Sequence, residues 1–202
     1  MTWLAACGGD TSSTGPGYDG GGAPNPFVQP TGAAFRLPAG VTVQGPMTGI
    51  LAFGSAQGPC GSAESVGHAL DLVRVCVTLH NATAADTVVV FPAGLILMAR
   101  DTATQNGTQV VPVSVRVPAG RDTSFVYSLF CVNEHRSASS DTDTFTFGPV
   151  SDHAGLREII ALVAGKSIDD SEAAYTIQDA VWKVSDWGGL TDESRAALRA
   201  LP

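Results

Sequence analysis

The chain has 202 residues, of which 44% are hydrophobic, and this size and composition suit one globular domain with short appendages. Nineteen acidic residues against eleven lysines and arginines give a net charge of −8, which repels phosphate backbones and argues against a nucleic-acid partner. No apolar run in the sequence approaches the roughly 20 residues that a membrane-spanning helix needs.

The first cysteine of the chain follows a stretch of small and apolar residues, LAACG at positions 4–8. This stretch resembles the lipobox of bacterial lipoproteins, in which the cysteine is diacylated and becomes the mature N-terminus. The resemblance implies that residues 1–7 are the remnant of a signal peptide and that acylated Cys7 anchors the protein in a lipid bilayer of the cell envelope. Because Gly8 stands where an aspartate usually retains such proteins at the inner membrane, the resemblance also implies the outer membrane or the cell surface.

A segment with the composition of a linker follows the cysteine. Residues 8–34 contain eight glycines and four prolines but no lysine or arginine. Such a segment buries too little apolar surface to offset the entropy cost of ordering it, so it predicts a flexible tether. The folded domain is then expected to span residues 35–202, with β-structure over about 35–150 and helices over about 151–201.

Apolar residues with a period of two predict β-strands between residue 35 and residue 132. Residues 73–80 and 111–117 show the clearest alternation, and Pro112 indicates that the second of these strands lies at a sheet edge. Further strands are expected at 35–43, 48–53, 87–91, 94–100 and 122–132. Three PAG turns separate these segments, and QNG at 105–107 has the composition of a hairpin turn. About seven short strands with frequent turns predict an immunoglobulin-like antiparallel β-sandwich.

After about residue 150 the period of the apolar residues becomes that of a helix, which predicts two or three helices packed on the sandwich. In the second of them, Ile177, Val181 and Val184 lie on one face. The expected capping or first residues of the three helices are Ser151 or Asp152, Asp170 or Ser171, and Thr191.

If Cys7 carries lipid, three cysteines remain, and an oxidising envelope favours one disulfide and one thiol among them. Cys60 lies in a turn-rich stretch that can adapt to disulfide geometry, whereas Cys76 and Cys131 lie in predicted strands. We favour a Cys60–Cys76 bridge with Cys131 left as a buried thiol. Bridges that join Cys131 to either of the other two cysteines remain as alternatives.

The sequence contains no hydrolase or nucleotide-binding motif, and its four histidines lack a spacing suited to zinc. Asp141 and Asp143 are the only carboxylates in the loop SSDTDT, which is too few to predict a calcium site. We therefore predict no metal, no cofactor and no enzymatic activity. Glu134, His135 and Arg136 form the densest polar cluster, and an enzyme of unrecognised type would use them.

Two short motifs, FCV at 130–132 and IQDAVW at 177–182, resemble the thioester domains of bacterial surface adhesins. In that family a cysteine thiolate displaces ammonia from a glutamine side chain, and the resulting thioester captures a nucleophile on a host surface. The resemblance implies that Cys131 is the thiol and Gln178 its acyl partner.

Two interpretations follow from these observations. The leading interpretation is a non-enzymatic lipoprotein of the bacterial envelope that presents a binding or structural surface to an unidentified protein or surface ligand. The alternative is a covalent adhesin whose thioester joins Cys131 to Gln178.

Overall fold

The computed structural model describes residues 26–70, 72–168 and 170–202. This part of the chain is mainly β and ends in three helices, as the sequence predicts. Cys7 and residues 8–25 of the predicted tether lie outside the described residues. None of the described helices is both long enough and apolar enough to cross a bilayer.

Eleven strands and three α-helices are present in the described residues. The strands are β1 (Gly32–Ala34), β2 (Val41–Val43), β3 (Met47–Ile50), β4 (Ser65–Val66), β5 (Val73–Asn81), β6 (Thr87–Phe91), β7 (Leu95–Ala99), β8 (Asn106–Thr108), β9 (Val113–Val117), β10 (Asp122–Val132) and β11 (Thr144–Ser151). The helices are α1 (Ala154–Val163), α2 (Ser171–Asp186) and α3 (Asp192–Ala200), and a short 3₁₀ helix spans Gly58–Cys60.

Six of the strands close into a barrel. β5 pairs with β3 along one edge and with β10 along the other, and the ladder continues from β3 through β11, β7 and β8 back to β10. β1, β2 and β4 extend the same sheet, while β6 and β9 form a separate two-stranded sheet. The main sheet thus closes on itself, unlike the two open sheets of the predicted immunoglobulin-like sandwich. The alternation of apolar residues indicates which face of a strand is buried, but it does not specify the neighbouring strand.

The interior of the barrel is the largest apolar core among the described residues. Its side chains come from alternate positions of the long strands, and the inner face of the β6–β9 sheet covers them. Pro112 immediately precedes β9, whose place in a two-stranded sheet agrees with the predicted edge position. The buried members of this core include Val73, Val75, Val77, Leu79, Phe91, Leu95, Leu97, Val115, Phe125, Tyr127, Leu129 and Cys131.

The second core lies between the outside of the barrel and the three helices. β10 contributes to both cores, because Leu129 and Cys131 face the barrel interior while Phe130 and Val132 face the helices. The other buried members of the second core include Phe27, Ile96, Leu156, Ile159, Val163, Ile177, Val181, Val184 and Leu198.

Two of the predicted helix caps are confirmed. The Asp170 carboxylate accepts a 2.7 Å hydrogen bond from the N–H of Ala173 at the start of α2, and the Thr191 hydroxyl accepts one of 3.1 Å from the N–H of Ser194 in α3. The predicted cap of α1 is wrong, because Ser151 belongs to β11 and the helix begins after His153.

The predicted hairpin turn at 105–107 is a strand instead, since Asn106–Thr108 form β8. A Cβ atom on Gly107 would lie 2.7 Å from the Cβ of Leu129, so close packing requires the glycine here. The Asn106 side chain is buried, and its amide donates a 2.8 Å hydrogen bond to the carbonyl of Phe27.

The folded unit begins earlier than the predicted boundary at residue 35. Phe27 is 1% exposed, belongs to the second core and lies 5.0 Å from the ring of His153, measured between ring centroids. β1 then pairs with β11, which fixes residues 32–34 on the sheet. The end of the predicted tether, residues 27–34, is therefore part of the fold. The many glycines and prolines of residues 8–34 give the whole segment the composition of a linker, although Phe27 anchors its end to the fold.

Replacing Phe27 with alanine is expected to lower the free energy of unfolding by about 3–5 kcal/mol, because the truncation leaves a cavity in the second core. Equilibrium denaturation in urea measures this change. Val28 is the matched control because it is adjacent and 39% exposed, and Val28→Ala is expected to change the free energy by no more than about 0.5 kcal/mol. If the two variants are equally stable, the folded unit starts after residue 34, as the composition predicts.

Candidate functional site

A disulfide between Cys60 and Cys76 fixes the long connection between β3 and β4. The bridge attaches the 3₁₀ helix to β5, with the two Cα atoms 5.7 Å apart, and packs against Ile50 and Val126. This pairing is the one that the sequence analysis favours. Cys131 is outside the disulfide and is buried in the barrel interior.

The connection begins with a tight turn at residues 51–54, closed by a 2.8 Å hydrogen bond from the N–H of Gly54 to the carbonyl of Leu51. Phe53 occupies the left-handed region of the turn with φ 57°, although its side chain is 72% exposed. A bulky residue rarely adopts this conformation, and such strain is found most often at functional positions. The guanidinium of Arg74 on β5 donates to the carbonyl of Gly54 and so holds the turn against the barrel.

A cleft of about 540 Å³ lies between this turn, the segment 65–70 and the start of α2. Phe53 from the turn and Tyr175 from α2 both line it, and Tyr175 is 60% exposed. No lysine or arginine is present among the described residues of the lining. The polar side chains that line the cleft are Ser65, His68, Ser128, Asp170 and Ser171.

Several polar groups of the cleft are fixed by the local structure. β4 pairs in parallel with β10, which brings the hydroxyl oxygens of Ser65 and Ser128 to 3.1 Å from each other. One carboxylate oxygen of Asp170 accepts the N–H of Ala173 and is thereby held at the start of α2. The cleft is therefore a preformed surface with ordered hydroxyl and carboxylate groups.

A buried amide lies next to the cleft. The side chain of Gln109 is fully buried, and neither its oxygen nor its nitrogen has a hydrogen-bond partner among the described residues. The amide lies beside Gly67, which lines the cleft and has φ +97°. A Cβ atom added to Gly67 would lie 3.0 Å from Nε2 of Gln109 and 2.2 Å from the carbonyl oxygen of Ser128. A buried amide without partners lowers the stability of the fold, and Gln109 itself does not line the cleft.

The two residues of the thioester motif are in contact, but through the main chain of the cysteine. Oε1 of Gln178 accepts the N–H of Cys131 at 2.9 Å, and its Nε2 donates to the carbonyl of Cys131, also at 2.9 Å. Both residues are buried, and the Cys131 side chain packs with the barrel core. The amide thus joins α2 to β10.

The polar cluster at the end of β10 also connects to α2. The carboxylate of Glu134 accepts the indole N–H of Trp187 at 2.6 Å, and the N–H of Glu134 donates to the carboxylate of Asp186 at 3.1 Å. Burial lowers the pKa of Arg136, an effect that the nearby charge of Asp186 opposes. The ring of His135 lies 6.1 Å from that of Trp187, measured between centroids. These contacts attach the end of α2 to the barrel.

In the loop with two aspartates, the carboxylate of Asp143 is used for hydrogen bonds within the fold. The carboxylate of Asp143 accepts the hydroxyl of Thr104 at 2.9 Å and the N–H of Ser140 at 2.7 Å, which closes the loop before β11. Within the described ranges, no group of three or more histidine, cysteine, aspartate or glutamate side chains is placed to hold a metal ion.

Sequence reasoning did not identify the cleft. One signal was present in α2, where Tyr175 lies outside the apolar stripe that includes Ile177 and Val181 and so has no core to enter. A second signal was Phe53, a large apolar residue directly before a glycine in a turn-rich stretch. Neither signal predicts that the two aromatic residues line the same cleft, because their positions are 122 residues apart in sequence (175 − 53).

In comparisons of the chain with protein-family models, with curated proteins and with solved structures, nothing matches. The function must therefore be inferred from the geometry of the cleft and from the sequence.

Proposed function

We propose that the protein is a non-enzymatic binding module of the bacterial envelope, tethered by a lipid on Cys7, and that the cleft lined by Phe53 and Tyr175 is its binding surface. One observation carries this proposal: two largely exposed aromatic side chains from distant parts of the chain line the same cleft. Aromatic residues leave water when a partner covers them, and this desolvation supplies binding energy.

The backbone of Phe53 supports the same conclusion. Its left-handed conformation costs of the order of 1–3 kcal/mol, which the contacts around the turn must offset. A fold gains nothing in stability from holding an exposed phenylalanine in this way, whereas a binding surface gains a preorganised contact.

The polar groups of the cleft favour binding over catalysis. The Ser65 and Ser128 hydroxyls bond to each other, and an Asp170 carboxylate oxygen is occupied by the cap of α2. Groups of this kind recognise hydroxyl and amide groups of a ligand. The Glu134 cluster is not a competing active site in this proposal, since its contacts attach α2 to the barrel.

Amide hydrogen exchange tests the binding surface, because it reports which residues a ligand covers whatever the ligand is. The full chain, made without lipid by Cys7→Ser, is mixed in turn with peptidoglycan sacculi, vesicles of extracted envelope lipids and purified surface polysaccharide. One of these fractions is expected to slow exchange in residues 65–70 and 171–175 and to be recovered chemically unchanged. The double variant Phe53→Ala, Tyr175→Ala is expected to abolish the protection.

Trp187→Ala is the matched control for this experiment, because Trp187 is also 60% exposed but lies just beyond the opposite end of α2. This variant should keep the protection. If no fraction protects the cleft, or if Trp187→Ala abolishes protection as the double variant does, the cleft is not the binding surface.

The lipid anchor has its own test. In the native host, the unaltered protein is expected to partition into the detergent phase, because two acyl chains give stable membrane attachment. Cys7→Ser should move the protein to the soluble periplasmic or secreted fraction. Retention of the Cys7→Ser protein in the detergent phase would contradict the anchor and leave the cleft proposal unaffected.

The second candidate function is the covalent adhesin, for which the nearness of Gln178 to Cys131 is the supporting observation; the hydrogen bonds of the amide go to the main chain of Cys131, and the Cys131 side chain packs in the barrel core. Under the leading proposal the amide is intact, and Gln178→Ala only lowers the free energy of unfolding by about 1–3 kcal/mol, because buried main-chain groups lose their partners. Intact mass of the unlipidated protein decides between the two functions. A deficit of one ammonia in the parent protein that is absent from Gln178→Ala would establish the thioester.

A further inference from the structure

We infer that the cleft binds a neutral carbohydrate, with Phe53 and Tyr175 stacked against sugar rings; this inference rests on the proposed function. A sugar ring has an apolar C–H face and a rim of hydroxyl groups. The cleft offers both complements, since aromatic side chains and hydroxyl groups line the same space. Its volume of about 540 Å³ lies in the range that is usual for small-molecule sites.

The charges around the cleft select against anionic ligands. No lysine or arginine is present in its described lining, and the chain as a whole has a net charge of −8. Phosphate, sulfate and uronate groups would therefore enter without a lysine or arginine partner. The one carboxylate in the described lining, that of Asp170, already accepts the N–H of Ala173, which makes it a fixed acceptor for a sugar hydroxyl.

The experiment measures binding of the unlipidated full chain to an array of neutral oligosaccharides, with insoluble chitin, cellulose and mannan as separate arms. Chitin carries N-acetylglucosamine, a sugar of the bacterium's own wall strands, whereas cellulose and mannan represent foreign surfaces. Poly-lysine and heparin serve as cationic and anionic arms. Retention by at least one neutral glycan is expected, and no retention by heparin.

Three variants test the assignment of the residues. Phe53→Ala and Tyr175→Ala are each expected to weaken binding about tenfold, because each removes one stacking face. Trp187→Ala should leave binding unchanged.

The outcomes separate this inference from the proposed function. If the protein is retained by poly-lysine or heparin in a way that depends on Phe53, and by no neutral glycan, the inference of a neutral carbohydrate is overturned. The cleft then remains a binding surface. The same conclusion follows if no neutral glycan retains the protein while lipid vesicles protect the cleft from hydrogen exchange. If neither hydrogen exchange nor any arm detects binding at the cleft, both proposals are overturned.

Discussion

The pairing of β5 with β10 is the interaction on which the rest of the structure depends. It joins eight consecutive residue pairs, from Asp122 with His80 to Leu129 with Val73, and it closes the barrel. Closure buries the inner faces of both strands in the barrel core and leaves their outer faces for other elements to pack on. The disulfide packs on one part of this outer surface and the helices on another. Each attachment therefore needs the closed barrel beneath it.

The cleft is a consequence of this arrangement. The disulfide fixes the connection that carries Phe53, β4 holds the segment 65–70 against β10, and the second core holds α2, which carries Tyr175. The cleft is the space that remains between these three elements. A site of this kind is positioned by the scaffold and keeps its shape without a ligand.

The sequence predicted those features whose signals are local. Residues 122–132 have the period and length of a strand, and β10 has these bounds; Asp170 and Thr191 precede helical stripes and cap them. Features that depend on distant neighbours were not predictable, because alternation does not specify a partner strand. Closure of the barrel, burial of Phe27 and the meeting of two aromatic residues in one cleft all belong to this second group.

The contact between Gln178 and Cys131 also bears on aggregation. Near its end, β10 presents a main-chain N–H and carbonyl that the strand of another molecule could pair with, as at any uncovered sheet edge. The Gln178 amide supplies one acceptor and one donor, as an adjoining strand would, and occupies both groups. α2 therefore protects this edge as well as covering a core. A chain whose α2 has not yet docked would leave these two main-chain groups and the apolar side chains of Phe130 and Val132 uncovered, and such surfaces favour association between molecules at high concentration.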